Sequence, residues 1–288
     1  MFRKLIVAAA VALVLATPVE AKRAIRLFTP IEKLVRAEVV AVGKVTAVEK
    51  DTVTAAPSPG AEKITYKIAV IKIESGLFGA ANVTHVKVGF IPPPPVDPNA
   101  PVAPGRGRFQ PISLTEGMEG LFFLTKHHSG EFYVFNPMLS PVEAKADGYK
   151  EQLALVKKGA AILTDPAKAL KAEKAEDRSF AATVMVNKYR AYPEGGGEVE
   201  NVKVPADESK LVLKALAEGN WKGDPTNPDV PNAYQAFSQL GLNEMNGWKN
   251  PVVKPGEDFI EKTRETFAAW IVGAGKDYQL TKLVVKKK

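Results

Sequence analysis

Three histidines are the side chains that a metal centre or an acid–base site would recruit first. His85 alternates with Val86 and Val88 in an apolar run, so it is predicted to face solvent from a strand. His127 and His128 are adjacent in a predicted hairpin turn. Neighbouring turn residues seldom converge on one ion, and no other histidine lies at helical spacing from them. The sequence therefore predicts no metal site.

The motifs of common catalytic and nucleotide-binding sites are missing. There is no H-E-x-x-H, G-x-S-x-G or S-x-x-K, and no glycine-rich phosphate loop that opens a helix after a strand. Carboxylate pairs such as Glu257 and Asp258 are typical of helix starts, where they complement the helix dipole. The sequence therefore favours a non-catalytic protein and assigns no catalytic residue and no cofactor.

A proline-rich insertion over residues 91–111 carries most of the candidate contacts to a partner. Its eight prolines cannot donate to a sheet ladder and favour an extended, solvated path. Two interpretations stay open: a plain surface loop, or a docking segment in which Arg106, Arg108 and Phe109 contact a partner. Trp248 is the fourth candidate, because it lies in a predicted turn where it either covers the core or stacks on a ligand.

Residues 1–21 have the pattern of a cleaved export signal. A basic start at Arg3 and Lys4 precedes a short apolar run, and Val19 and Ala21 supply small residues before the cleavage point. The run, Leu5 to Thr17, is shorter than the roughly 20 residues of a membrane-spanning helix. We therefore expect a periplasmic or extracellular protein without a transmembrane anchor.

The amino-acid composition excludes further kinds of functional site. The chain has no cysteine, which excludes a lipid anchor at the cleavage point, disulfides, thiol nucleophiles and thiolate metal sites. With 45% hydrophobic and 25% charged residues it has the composition of a globular protein. A net charge of +7 allows binding to a polyanion, although export disfavours nucleic acid as that polyanion.

The first half of the chain is predicted to be mostly strands. A capping box at Thr29–Glu32 predicts a short helix from Pro30 to about Ala37, and a valine-rich strand should follow to Lys50. Residues 51–60 are predicted to be a loop. Alternation over residues 64–73 slips by one place, which predicts a bulge near Val70 and Ile71. A third strand over 84–90 and a hairpin of residues 121–124 with 132–135 complete five strands, which favour a small antiparallel barrel.

Residues 30–135 resemble secreted netrin-like OB barrels, the architecture of tissue inhibitors of metalloproteinases. The resemblance is carried by the runs Ala37–Val45 and Tyr66–Val70, the step Ser75–Gly79, and Thr115–Leu124. It implies a barrel fold. In that family an N-terminal cysteine binds the zinc of the target protease, and this chain has no cysteine. Protease inhibition is therefore not expected.

The second half is predicted to be helical and resembles no characterised family. A second capping-box pattern at Ser140–Glu143 predicts a helix toward Leu163, Asp165–Pro166 restarts it, and it should reach Arg190. Further helices are predicted over 206–218, 232–240 and 257–272, each followed by a glycine suited to a left-handed cap. The last alternating segment, residues 278–285, is predicted to return to the barrel as a strand.

These elements predict an α+β chain in which a small antiparallel β-barrel precedes a helical domain. The expected parts are a signal peptide (1–21), a barrel domain (22–139), connecting helices (140–178) and a helical domain (179–288). The leading hypothesis is an exported, non-catalytic binding protein with a protein or polysaccharide partner. Two alternatives stay open: an extracytoplasmic hydrolase with its site at the barrel–helix junction, and a polyanion-binding OB-type protein.

Overall fold

The computed structural model describes residues 28–92, 112–136, 138–193 and 197–286. Over these ranges the protein is a mixed α+β structure with a six-stranded sheet, a two-stranded sheet and seven α-helices. None of the described helices is both long enough and apolar enough to span a membrane. The predicted signal peptide, residues 1–21, and Arg106, Arg108 and Phe109 lie outside the described residues.

The elements follow one another in a strand-rich first half and a helix-rich second half. The helices are α1 (Pro30–Arg36), α2 (Tyr149–Thr164), α3 (Pro166–Ala169), α4 (Ala175–Arg190), α5 (Ala206–Ala217), α6 (Ala233–Gln239) and α7 (Phe259–Val272). The strands are β1 (Val39–Ala55), β2 (Ile64–Phe78), β3 (His85–Phe90), β4 (Glu119–Lys126), β5 (Tyr133–Val134), β6 (Val142–Glu143), β7 (Val199–Lys203) and β8 (Thr281–Val285).

The capping box predicted at the start of α1 is confirmed. The Glu32 amide donates to Thr29 Oγ1 at 3.3 Å, and the Thr29 amide donates to Glu32 Oε2 at 2.8 Å. Two orphan N–H groups are satisfied in this way, and Pro30 removes a third. The sequence signal therefore fixes where the chain turns into its first helix.

The strand pairings of the larger sheet form a cycle. β1 pairs with β2, β2 with β3, β3 with β5, β5 with β4, and β4 again with β1. The β3–β5 pair is parallel, whereas the other pairs are antiparallel. The short strand β6 extends the outer edge of β4 through Leu121 and Val142. The predicted hairpin is present as β4 and β5, although the residues of β4 that pair are Thr125 and Lys126, just beyond the predicted 121–124.

The predicted irregularity near Val70 and Ile71 is present, but its extra residue belongs to β1. Val45 is opposite Ile71 and Ala47 is opposite Val70, so Thr46 is the unpaired residue. β1 also continues to Ala55, where a loop was predicted from residue 51. Its last four residues pair with the start of β2, and three of them, Thr52, Val53 and Thr54, are β-branched residues that favour strands.

Two main cores use opposite faces of the same strands. In β4, Leu121 and Phe123 belong to a core shared with α1 and the helices of the second half, whereas Phe122 and Leu124 belong to a second core among the strands. A strand that is buried on both faces reads as an unbroken apolar run, as residues 121–124 do. The first core is therefore shared by the sheet and the helices, whereas the second lies among the strands.

The helix predicted to begin at Ser140 is wrong. Val142 and Glu143 form β6, and α2 begins only at Tyr149. The Ser140 hydroxyl accepts a hydrogen bond from Lys33 and does not cap a helix. Tertiary contacts to α1 and β4 thus outweigh a local capping pattern at this point.

The end of the chain also differs from the prediction. β8 pairs with β7, an unpredicted strand, and does not join the larger sheet. The helices α5, α6 and α7 lie where they were predicted. Of their following glycines only Gly241 is left-handed, with φ 64°, whereas Gly273 has φ −105°.

Candidate functional site

An open apolar groove between α5 and α7 is the main candidate binding site. Its volume is about 480 Å³. We call it the α5–α7 groove. Its apolar lining is Leu213, Ala217, Ala268, Ile271, Val272 and Tyr278, and its charged lining is Lys210, Lys214, Glu218, Arg264 and Lys276.

The groove arises because α7 is apolar on more than one face. Phe267 and Trp270 point into the core and are buried, while Ala268 and Ile271 on the next face are half-buried. Val272 at the end of the helix is 77% exposed. A surface helix normally turns charged residues to that side, so the uncovered apolar stripe marks a contact surface.

The wall made by α5 follows helical spacing. Leu213 and Ala217 are four residues apart and therefore lie one above the other on the face that meets α7. The Arg264 guanidinium joins the two walls by donating to the carbonyl of Ala217 at 3.2 Å, and its Nε donates to Glu261 Oε1 at 3.0 Å. The Arg264 hydrogen bond thus ties the end of α5 to α7 and fixes the two walls relative to each other.

The rim of the groove is positively charged. Four cations and one carboxylate line it, for a net charge of +3. The carboxylate, Glu218, accepts from Arg178 at 2.7 Å and lies 4.0 Å from Lys214. Within the described ranges no ion pair involves Lys210 or Lys276. These two ammonium groups are therefore available to an anionic group beside an apolar surface.

A second, polar cavity lies where α1 meets the sheet. It has a volume of about 600 Å³, and we call it the junction pocket. Lys33 lines it although this side chain is only 9% exposed. Lys33 Nζ donates to the carbonyl of Ser140 at 3.0 Å and to its hydroxyl at 3.2 Å. The remaining lining is Pro141, Val142, Glu143, Lys145, Ala146, Asp147 and Gln152.

Electrostatics differ between the two cavities. Burial lowers the pKa of Lys33, and the charge of Asp229 offsets part of this effect. Lys33 and Lys145 are balanced in the junction pocket by Glu143 and Asp147, and Lys145 is paired with Glu143 at 2.9 Å. The junction pocket therefore has no net charge to attract an anion, in contrast to the α5–α7 groove.

Trp248 lies in the aromatic core of the second half. It is 4% exposed, and its ring meets Phe237 at 5.2 Å and Trp270 at 6.3 Å between centroids. Its Nε1 donates to Asn250 Oδ1 at 3.0 Å. This is the core-covering alternative, although Trp248 also lines a polar cavity of about 460 Å³ beside Asn243 and Lys249.

The histidine pair in the β4–β5 turn is occupied by protein contacts. The Nε2 atoms of His127 and His128 donate to the same acceptor, the carbonyl of Ala56, at 3.0 and 2.7 Å. A carbonyl only accepts, so the proton of His127 is on Nε2 and its Nδ1 accepts from the Ser129 amide at 3.2 Å. His127 is buried. His85 is exposed, as its alternation with Val86 and Val88 predicted.

The histidines and carboxylates do not assemble into a metal centre in the part of the chain that the structure describes. No group of three or more His, Asp or Glu side chains is arranged there to hold an ion. Neither cavity was identified from the sequence. The run Ala268–Val272, which is apolar around the whole helix, is the signal from which one wall of the groove was identifiable.

The chain was compared with protein-family models and with curated proteins. No family model matches it, and no curated protein does.

Proposed function

We propose that this chain is an exported, non-catalytic binding protein that holds an apolar ligand group in the α5–α7 groove. Export is supported by the pattern of residues 1–21. The cyclic pairing of β1 to β5 supports an OB-type barrel as the scaffold of the first half, in agreement with the netrin-like resemblance.

One observation carries the proposal: an apolar cavity of ligand size opens to solvent between two packed helices. Small-molecule sites are mostly apolar concavities of about 300–1,000 Å³ with a few polar groups, and the groove, at about 480 Å³, lies in that range. Its apolar side chains gain about 25 cal/mol per Å² when covered. Binding of an apolar ligand in the groove is therefore favourable by itself and requires no chemical reaction.

The first prediction concerns an uncharged apolar dye. Phenylnaphthylamine should bind the purified chain with a rise in fluorescence, because the dye is transferred from water to an apolar surface. Ala268→Trp places an indole in the groove and should weaken the dye's affinity by about tenfold. Titration of fluorescence against dye concentration measures both values.

A matched variant controls for the added tryptophan. Ala154 is an exposed alanine on α2, outside the groove, so Ala154→Trp should leave dye affinity unchanged. If the unmodified chain fails to bind the dye, or if Ala154→Trp and Ala268→Trp weaken binding equally, the groove is not the binding site.

A hydrolase at the junction pocket is the second candidate function. The contact between Lys33 Nζ and Ser140 Oγ favours it, because a lysine with a lowered pKa can activate a serine hydroxyl. The binding function ranks first because the shorter of the two Lys33 contacts, at 3.0 Å, is to the Ser140 carbonyl and not to its hydroxyl. That contact ties α1 to the segment that leads into β6.

The second prediction separates these functions. A fluorophosphonate reacts with an activated serine as the Oγ–phosphorus bond forms, the phosphorus–fluoride bond breaks and a base takes the hydroxyl proton. We expect no labelling of Ser140, as judged by mass spectrometry of the intact chain and its peptides. Labelling of Ser140 that Lys33→Met abolishes would establish the hydrolase instead.

A further inference from the structure

We propose that the ligand of the α5–α7 groove is a single-chain anionic amphiphile, with its acyl chain along the groove and its carboxylate at Lys210 and Lys276. This proposal rests on the proposed function, since it names the ligand class of the same site. The observations that carry it are the shape of the groove and the charge of its rim.

The shape suits one extended apolar chain. From Lys210 to Glu218 the α5 wall runs eight residues, about 12 Å at the rise of an α-helix. The opposite wall supplies the methyl and methylene groups of Ala268, Ile271 and Val272. Each methylene buried against such walls raises affinity by up to about fourfold, so a chain of several carbons supplies useful binding.

The charge selects the head group. Lys210 and Lys276 form no ion pair within the described ranges, and the carboxylate on the rim, Glu218, is held by Arg178 at 2.7 Å. A cationic head would meet a net charge of +3, whereas a carboxylate would gain charge-assisted hydrogen bonds from the free ammonium groups. An anionic head group is therefore favoured over a cationic one with the same chain.

The test uses displacement of bound phenylnaphthylamine by two amphiphiles with the same chain, each below its micelle concentration. Decanoate should displace the dye at a concentration about tenfold or more below that required for decyltrimethylammonium. The double variant Lys210→Glu/Lys276→Glu should weaken decanoate by about tenfold or more and leave the affinity of the uncharged dye unchanged.

A charge substitution outside the groove controls for a general effect of the lost positive charge. Lys157 is exposed on α2 and does not line the groove, so Lys157→Glu should not change decanoate binding. If the dye binds but the two amphiphiles compete equally, or if Lys157→Glu weakens decanoate as much as the double variant, the ligand class is overturned while the proposed function stands. If neither the dye nor decanoate binds, both are overturned.

Discussion

Replacing Gly79 by alanine is expected to destabilise the protein by about 4 kcal/mol or more, a range reserved for changes that force the backbone to move. Gly79 has φ 65°, which costs a non-glycine residue about 1–2 kcal/mol. A Cβ here would also lie 1.9 Å from the carbonyl oxygen of Glu38. That oxygen belongs to the main chain between α1 and β1, so relief requires the corner itself to shift.

Gly60 provides the matched control. Its φ is 82°, and a Cβ would have nothing within 4 Å. Gly60→Ala should therefore cost only the left-handed conformation, about 1–2 kcal/mol. Urea unfolding followed by circular dichroism measures both variants. Equal losses for the two would show that the end of β2 is not pinned against the α1–β1 corner.

Local signals in the sequence predicted the elements whose contacts are close along the chain. The capping box at Thr29 and Glu32 is made within one helical turn, and the β4–β5 hairpin closes through a short turn. In both cases the residues that carry the signal also make the contact. Such elements are readable without knowledge of the rest of the fold.

The errors arose where a distant partner decides the structure. Ser140 matches a helix cap, but its oxygens are taken by Lys33, 107 residues away. Residues 281–285 alternate loosely and form a strand, yet the sequence does not reveal that the partner is Val199–Lys203. Loose alternation specifies a strand without specifying its neighbour.

The candidate site was out of reach of sequence reasoning for the same reason. The apolar run in α7 is visible in the sequence, but whether it meets α5, a core or solvent depends on how the helices pack. Lys33 likewise lies on α1 beside the buried residues Ile31 and Leu34. Burial of the Lys33 ammonium group requires the carbonyl of Ser140 as a hydrogen-bond acceptor.

Trp221 links the aromatic core of the second half to α5. It is 2% exposed, and its ring meets Phe237 at 4.8 Å and Phe267 at 5.6 Å between centroids. Its Nε1 donates to the carbonyl of Leu216 at 2.8 Å. That carbonyl, in the last turn of α5, also accepts from the Gly219 amide at 3.1 Å, so Trp221 adds a second cap hydrogen bond to the helix that forms one wall of the groove.

Trp221→Ala is therefore expected to cost about 3–5 kcal/mol of unfolding free energy, because it leaves a large cavity in the core and removes the indole hydrogen bond to the Leu216 carbonyl. Trp221→Phe keeps an aromatic ring and loses the hydrogen bond, so its cost should be about 1–2 kcal/mol. Urea unfolding measures both. Since the end of α5 loosens most in the alanine variant, phenylnaphthylamine affinity should fall there and persist in the phenylalanine variant. A stable Trp221→Ala protein with undiminished dye binding would show that the groove does not depend on this cap.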